Sequence, residues 1–143
     1  QAECGGALEP LLETMADEPA FHIWSATEDN GPKGAEGLRE FYAGLIASGS
    51  NRFEYAVERI VIGDDTLVTE GELYTPFSGE QLTAMGLEGF ERTKYYATKG
   101  RTVTFWPFER STGKIIGEDI YSLTSEITEA EEVVLNEYIY GEK

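Results

Sequence analysis

Gly100–Ser125 reads GRTVTFWPFERSTGKIIGEDIYSLTS, and its reading decides the fold. Thr102-Val103-Thr104-Phe105-Trp106 is β-branched and aromatic, and Ile115-Ile116 and Ile120-Tyr121-Ser122-Leu123 resume the pattern. Glu109–Lys114 between them supplies turn chemistry, with a glycine able to take positive φ. The stretch predicts a long β-hairpin. Strand side chains alternate, so Asp119, Tyr121 and Leu123 point one way and Glu118, Ile120 and Ser122 the other. The Tyr121–Leu123 face is expected to be the interior, and it carries Asp119 inside with it. A buried carboxylate is costly unless paired or protonated, so Asp119 asks for an explanation.

Working outward, Leu8, Leu11, Leu12 and Met15 recur at helical spacing and predict a helix over Ala7–Asp17, ended before Pro19. Ala20–Ser25 reads as a short strand and Ala26–Gly34 as a polar loop with a turn at Asn30-Gly31-Pro32. Leu38, Phe41, Tyr42, Leu45 and Ile46 make the stripe of a second helix over Ala35–Ala47, closed by Ser48-Gly49-Ser50. Arg52–Ile62 and Thr66–Phe77 pair as strands about Gly63-Asp64-Asp65. Ser78–Phe90 is expected to be a long loop with one helical turn. Arg92–Thr98 is another strand, turning at Lys99-Gly100 into the hairpin. Thr128 and Glu131 have capping-box spacing and predict a peripheral C-terminal helix over 128–140. Strands joined by short hairpins exclude a doubly wound parallel sheet. The expected class is α+β: a curved antiparallel sheet with the N-terminal helices packed in its concave face.

The chain has 143 residues, 41% of them hydrophobic and 12% aromatic, enough for one domain with a real core. That domain is expected to span 1–143, with its core at about 7–126. No run approaches a membrane span, and no signal peptide is visible. Cys4, the one cysteine, cannot form an internal disulfide, so a reducing, cytoplasmic compartment is expected. A formal charge of −16 repels nucleic acid and anionic lipid, so neither is expected as a partner.

Three phrases resemble the nuclear transport factor 2-like superfamily, a cone-shaped α+β barrel, and within it the SnoaL-like group. Lys33–Tyr42 (KGAEGLREFY) is similar to the helix that follows the first strand. Val57–Gly71 (VERIVIGDDTLVTEG) is similar to the central hairpin, and Gly113–Tyr121 (GKIIGEDIY) to the last strand. The resemblance covers about Leu8–Ser125. It implies small-molecule chemistry of cyclase, isomerase or dehydratase type, and it places Asp119 where SnoaL cyclases and limonene epoxide hydrolases carry an acid. Two of the superfamily's named chemistries do not match. Trp24-Ser25-Ala26 and Phe105 stand where ketosteroid isomerases carry their acids. Glu70-Gly71-Glu72-Leu73 stands where epoxide hydrolases need Arg-x-Asp.

The expected catalytic group is therefore Asp119 as acid or base, with His22, the lone histidine, as proton shuttle and Tyr121 as a phenol beside it. Trp24, Tyr42, Tyr55, Tyr74, Tyr96 and Trp106 are the candidate ligand-binding residues. The structural alternatives are an Asp119 paired with Arg59 or Arg101, and aromatics that simply fill a core. Glu70 and Glu72 share a face with Tyr74 and are expected to be solvated. No metal or cofactor is expected, since one histidine and one cysteine cannot build a zinc site. The expected function is cofactor-free acid–base chemistry on a hydrophobic or polycyclic ligand. The rival is a non-catalytic ligand-binding or dimerisation module. Ile60, Ile62, Ile116 and Ile120 are expected on an outer sheet face that a homodimer would cover.

Overall fold

The computed structural model describes residues 3, 6–25 and 27–130. Its elements in chain order are α1 (Leu8–Leu12), β1 (Met15–Ser25), β2 (Glu28–Asp29), α2 (Gly34–Ser48), β3 (Glu54–Ile62), β4 (Thr66–Ser78), α3 (Gly79–Ala84), β5 (Tyr95–Pro107), β6 (Ile115–Thr124) and β7 (Thr128–Ala130). The strands form one curved, unclosed sheet in the order β2-β1-β6-β5-β4-β3, with β7 on the start of β5. All pairs are antiparallel except β1 with β6, which α2 and the two central hairpins separate in sequence. The α+β reading holds.

The apolar stripe of the first helix is real, but only its first turns are helical. Thr14 Oγ1 donates to the Leu11 carbonyl at 2.7 Å and Thr14's own carbonyl accepts from Ile115 N, so the chain leaves the helix for the sheet. Met15 then reaches the core from a strand, beside Leu11, Phe21, Leu38 and Tyr42. Pro19 is tolerated because the β1–β6 register shifts between Met15 and Ala20, where its missing N–H costs no ladder bond. The polar loop after β1 folds back as β2, pairing Trp24 with Asp29.

Lys99-Gly100 does not turn. β5 runs unbroken through it against both β4 and β6. Gly100 serves close approach instead: a Cβ there would stand 2.6 Å from the Leu123 carbonyl oxygen. The hairpin turn falls where expected, at Gly113 with φ +72°. The loop after β4 opens with a short helix, because Ser78 and Gln81 form a reciprocal capping box. The predicted C-terminal helix fails at its start: Thr128–Ala130 is a strand on Tyr95–Ala97. The rest of that expected helix, and Cys4, lie outside the described residues.

The register divides the sheet's side chains between two faces. α2 packs on one of them through Phe21 and Tyr42, whose rings meet edge-on at 6.0 Å. Alternation puts Glu118, Thr102, Thr104 and Thr69 on this helix-side face, and all four are buried. His22, Trp24, Asp119, Tyr121, Val103, Phe105 and Leu123 fall on the opposite, open face. The expected assignment is thereby reversed. Asp119 is not interior, since its side chain is 37% exposed, and Tyr121 and Leu123 are 48% and 80% exposed. Ile60 and Ile120 pair with Thr69 and Thr104, so they share the helix-side face rather than the outer one. Ile62, paired with Leu67, follows Ile60 on that side at an edge that no described helix covers, and is 78% exposed.

Candidate functional site

On the helix-side face the titratable centre is Glu118, the neighbour of the residue singled out from the sequence. It is 7% exposed. Tyr42, delivered by α2, donates its O–H to Glu118 Oε1 at 3.3 Å. Burial pushes the Glu118 carboxyl from 4.5 up to about 8, helped by the negative charge of Glu3 and opposed by the Tyr42 hydrogen bond. Burial likewise pushes Glu3 up to about 7. Tyr42 is driven well above the ordinary phenol range, by burial first and then by the two carboxylates. At neutral pH the group here is therefore a protonated carboxyl next to a protonated phenol, with a second carboxyl close by. A carboxyl titrating near neutrality can give or take a proton without a cofactor.

Farther along the same face the lining is hydroxylic and aromatic. Trp106 Nε1 donates to Thr69 Oγ1 at 2.9 Å. Tyr55 O–H lies 3.2 Å from that oxygen and 3.2 Å from the Thr102 carbonyl. Thr102 and Ser122 hydroxyls meet across β5 and β6 at 3.0 Å. Tyr55 and Trp106 thus lie over buried threonines, presenting ring surface. Tyr96 is buried and accepts from Glu91 N at 2.8 Å while packing on Phe90.

The open face gathers the three residues expected to be catalytic. His22 Nε2 lies 3.9 Å from Asp119 Oδ1, and Trp24 stacks between His22 and Tyr121, with centroids at 5.9 and 6.5 Å. They converge, but on the face away from Tyr42, Tyr55, Tyr96 and Trp106. Asp29 organises them. Its Oδ1 accepts from Ile23 N and Gly31 N, and its Oδ2 from His22 Nδ1 and Lys33 Nζ, both at 2.7 Å. Lys33 first, then the Gly31 amide, holds the Asp29 carboxyl far below the usual carboxylate range. His22 Nδ1 lies 3.1 Å from Lys33 Nζ as well as 2.7 Å from Asp29 Oδ2, and its Nε2 faces Asp119.

Neither arginine reaches Asp119. Arg101 binds Glu58 at 2.7 Å and Glu70 at 2.9 Å, and Arg59 binds Glu70 at 3.2 Å. Arg101 and then Arg59 lower the Glu70 carboxyl. Glu70 and Glu72 are on the open face as expected, the latter 3.5 Å from Lys99. Tyr74 is there too, under Lys99 at 5.8 Å, and so is Trp24. Both leave the helix-side set. Among the described residues no group of three or more His, Cys, Asp or Glu could hold a metal ion. No described helix is long and apolar enough to cross a membrane.

Sequence reading missed Glu118, Glu3, Asp29 and Lys33. Asp29-Asn30-Gly31 was legible as an Asx turn. Its second oxygen is free for His22 only because β2 folds back onto β1.

No protein-family model and no curated protein matches the chain. Solved structures do. A protein described as a SnoaL-like polyketide cyclase from Shewanella putrefaciens superposes with a TM-score of 0.66 at 15% identity, covering 85% of this chain and 72% of that one. An NTF2-like protein from Anabaena variabilis gives 0.62 at 17% identity, covering 87% and 81%. A phenazine biosynthesis-related protein from Pseudomonas aeruginosa gives 0.61 at 10% identity, covering 86% and 70%. Likeness at these identities is likeness of fold, and function has to come from the site.

Proposed function

We propose, for a chain folded as nuclear transport factor 2-like proteins of the SnoaL-like group fold, that it binds a hydrophobic or polycyclic small molecule on the helix-side face and moves a proton with Glu118. The observation that carries this reading is the Glu118 carboxyl, buried under Tyr42 and pushed up to about 8. Perturbed carboxyls of this kind mark working acids and bases. Protonated Glu118 serves as the donor at neutral pH, and its ionised fraction, growing toward pH 8, as the base. Tyr42 keeps its proton throughout and can turn its O–H to an oxygen on which charge develops. Tyr55 and Trp106 supply the ring surface for a flat ligand. This assigns the working acid to Glu118 rather than to Asp119. The SnoaL-like neighbours support the class of chemistry only by analogy of fold.

A non-catalytic binder is the second reading. The mutual hydrogen bonds of Tyr55, Trp106, Thr69 and Thr102 favour it, because a lining already satisfied internally asks only for apolar contact.

The test uses Trp24→Phe, which leaves Trp106 as the sole tryptophan. Steroid and anthraquinone ketones are titrated in, and quenching of Trp106 reads binding. Exchange of the ketone's α-hydrogens with deuterated solvent, followed by mass spectrometry, reads proton transfer. Expected are binding by at least one polycycle, exchange that rises with pH through about 8, and loss of exchange without loss of binding in Glu118→Gln. Binding without exchange selects the second reading, and no quenching by any polycycle rejects both.

A further inference from the structure

The helix-side face spends most of its hydroxyls on itself. Trp106 Nε1 and the Tyr55 O–H both point at the Thr69 hydroxyl, at 2.9 and 3.2 Å, and Tyr55 also lies 3.2 Å from the Thr102 carbonyl. The Thr102 and Ser122 hydroxyls meet at 3.0 Å. A belt closed in this way offers a ligand ring surface and little polar contact.

Thr104 stands in the middle of that belt and takes no part in it. It is 3% exposed, and among the described residues its hydroxyl has no hydrogen-bond partner. A buried hydroxyl left unpaired is costly, so this one asks for a reason. Among the described residues every fully enclosed side-chain oxygen and nitrogen is paired. The unpaired Thr104 oxygen is therefore not fully enclosed. It borders space on the helix-side face rather than packed atoms.

The strand register says what that space lies between. Thr104 pairs with Thr69 on β4 and with Ile120 on β6. Glu118 and Ser122 stand two residues to either side of Ile120, so both are diagonal neighbours of Thr104 on the same face. Diagonal neighbours in an antiparallel pair are about 7–8 Å apart. At that separation Thr104 and Glu118 do not bond each other, and a small group fits between them. A ketone matches the gap. Its oxygen takes the Thr104 O–H at about 2.8 Å. Its α-carbon, two bonds from that oxygen, then comes within about 3–3.5 Å of the Glu118 carboxyl. A plain hydrocarbon would leave the hydroxyl unpaired, and an anionic ligand would be pressed against the buried carboxyls of Glu118 and Glu3.

We propose that Thr104 anchors the ligand through a neutral carbonyl oxygen, so that the site selects polycyclic ketones over hydrocarbons of the same shape; this rests on the reading that Glu118 is the working acid of a ligand site on this face. One free hydroxyl can discriminate because the ligand that lacks an oxygen leaves it unpaired. A neutral hydrogen bond of this kind is worth about fivefold in affinity.

Equilibrium dialysis of the full chain reads the selection, with fluorenone set against fluorene and an androstanone against androstane. The native protein is compared with Thr104→Val, which keeps the shape and loses the hydroxyl, and with Thr104→Ser, which keeps the hydroxyl. In each pair that binds, the ratio of ketone to hydrocarbon affinity should fall about fivefold in Thr104→Val and be retained in Thr104→Ser. Hydrocarbon affinity should not weaken in Thr104→Val. Urea unfolding without ligand gives an independent readout. Thr104→Val should be at least as stable as the native chain, because the hydroxyl it removes bonds nothing in the fold. A ratio unmoved by Thr104→Val overturns the assignment and leaves the ligand site itself standing. So does a Thr104→Val clearly less stable than the native chain, which would mean that the hydroxyl is spent inside the fold. If no member of either pair binds, the ligand site falls, and the assignment of Thr104 with it.

Discussion

Replacing Glu118 by Gln tests whether the carboxyl is held as described. The amide keeps the size of the side chain and can still accept from the Tyr42 O–H, which stands 3.3 Å away in the native protein. It removes only the possibility of ionising. The folded-state pKa is raised from 4.5 to about 8, so the folded protein resists losing this proton and the unfolded chain does not. Stability is therefore fully present below pH 4.5 and is lost as pH rises to about 8. At about 1.4 kcal/mol for each pH unit, the native carboxyl costs roughly 3 kcal/mol at pH 7 and on the order of 5 kcal/mol above pH 8. Glu118→Gln should match the native chain near pH 4.5 and exceed it in stability by a few kcal/mol at pH 7. For a chain of this size, about 2–4 °C of melting temperature per kcal/mol makes that a gap of roughly 6–12 °C. Thermal melts of both proteins from pH 4.5 to pH 9, followed by far-ultraviolet circular dichroism, measure it. Equal stabilities across that range, or a variant that is less stable at pH 7, would refute the reasoning, because either result means that the folded protein accommodates the carboxylate.

Two further substitutions test the geometry of the sheet. Gly100→Ala puts a Cβ 2.6 Å from the Leu123 carbonyl oxygen; backbone cannot yield as a side-chain tip can, so the β5–β6 ladder should open at a cost of about 1–3 kcal/mol, read as a lower urea midpoint. Thr69→Val keeps the shape but removes the oxygen to which Trp106 Nε1 and Tyr55 O–H point. Tyr55 retains the Thr102 carbonyl while Trp106 loses its acceptor, so a loss of about 1–3 kcal/mol with a shift in Trp106 emission is expected, measured in a Trp24→Phe background.

The sequence carried the hairpins and α2 plainly, because alternation, turn glycines and a five-residue stripe agree there. It carried the faces badly. Alternation in Gly117-Glu118-Asp119-Ile120-Tyr121 separates two sets of side chains and cannot say which set is inside. The ordinary rule, apolar inward, selected Tyr121 and Leu123 and with them Asp119. The rule fails here because the helix-side face is lined by Thr69, Thr102, Thr104 and Ser122; the Thr69 hydroxyl accepts from Tyr55 and Trp106, and the Thr102 and Ser122 hydroxyls pair with each other. Other errors were local competitions. Thr14 ended a helix that the leucine stripe would have continued. Gly100 met a neighbouring strand rather than making a turn, and Ser78 with Gln81 capped a helix in a glycine-rich stretch.

Adjacent acids on one strand have been given opposite environments, and that difference assigns their roles. Glu118 and Asp119 differ by one residue, hence by one face. Glu118 meets Tyr42, Glu3 and the core, loses its water and becomes a group that holds its proton at neutral pH. Asp119 meets solvent, with His22 Nε2 3.9 Å away. A substitution at Asp119 should therefore leave in place the pH dependence of folding stability set by Glu118, whereas Glu118→Gln should remove it. The same thermal melts, run on Asp119→Asn beside Glu118→Gln, test the division of the sheet into two faces. If Asp119→Asn also removed the dependence, the faces would be coupled through β6 itself, and the assignment of the working acid to Glu118 would fall.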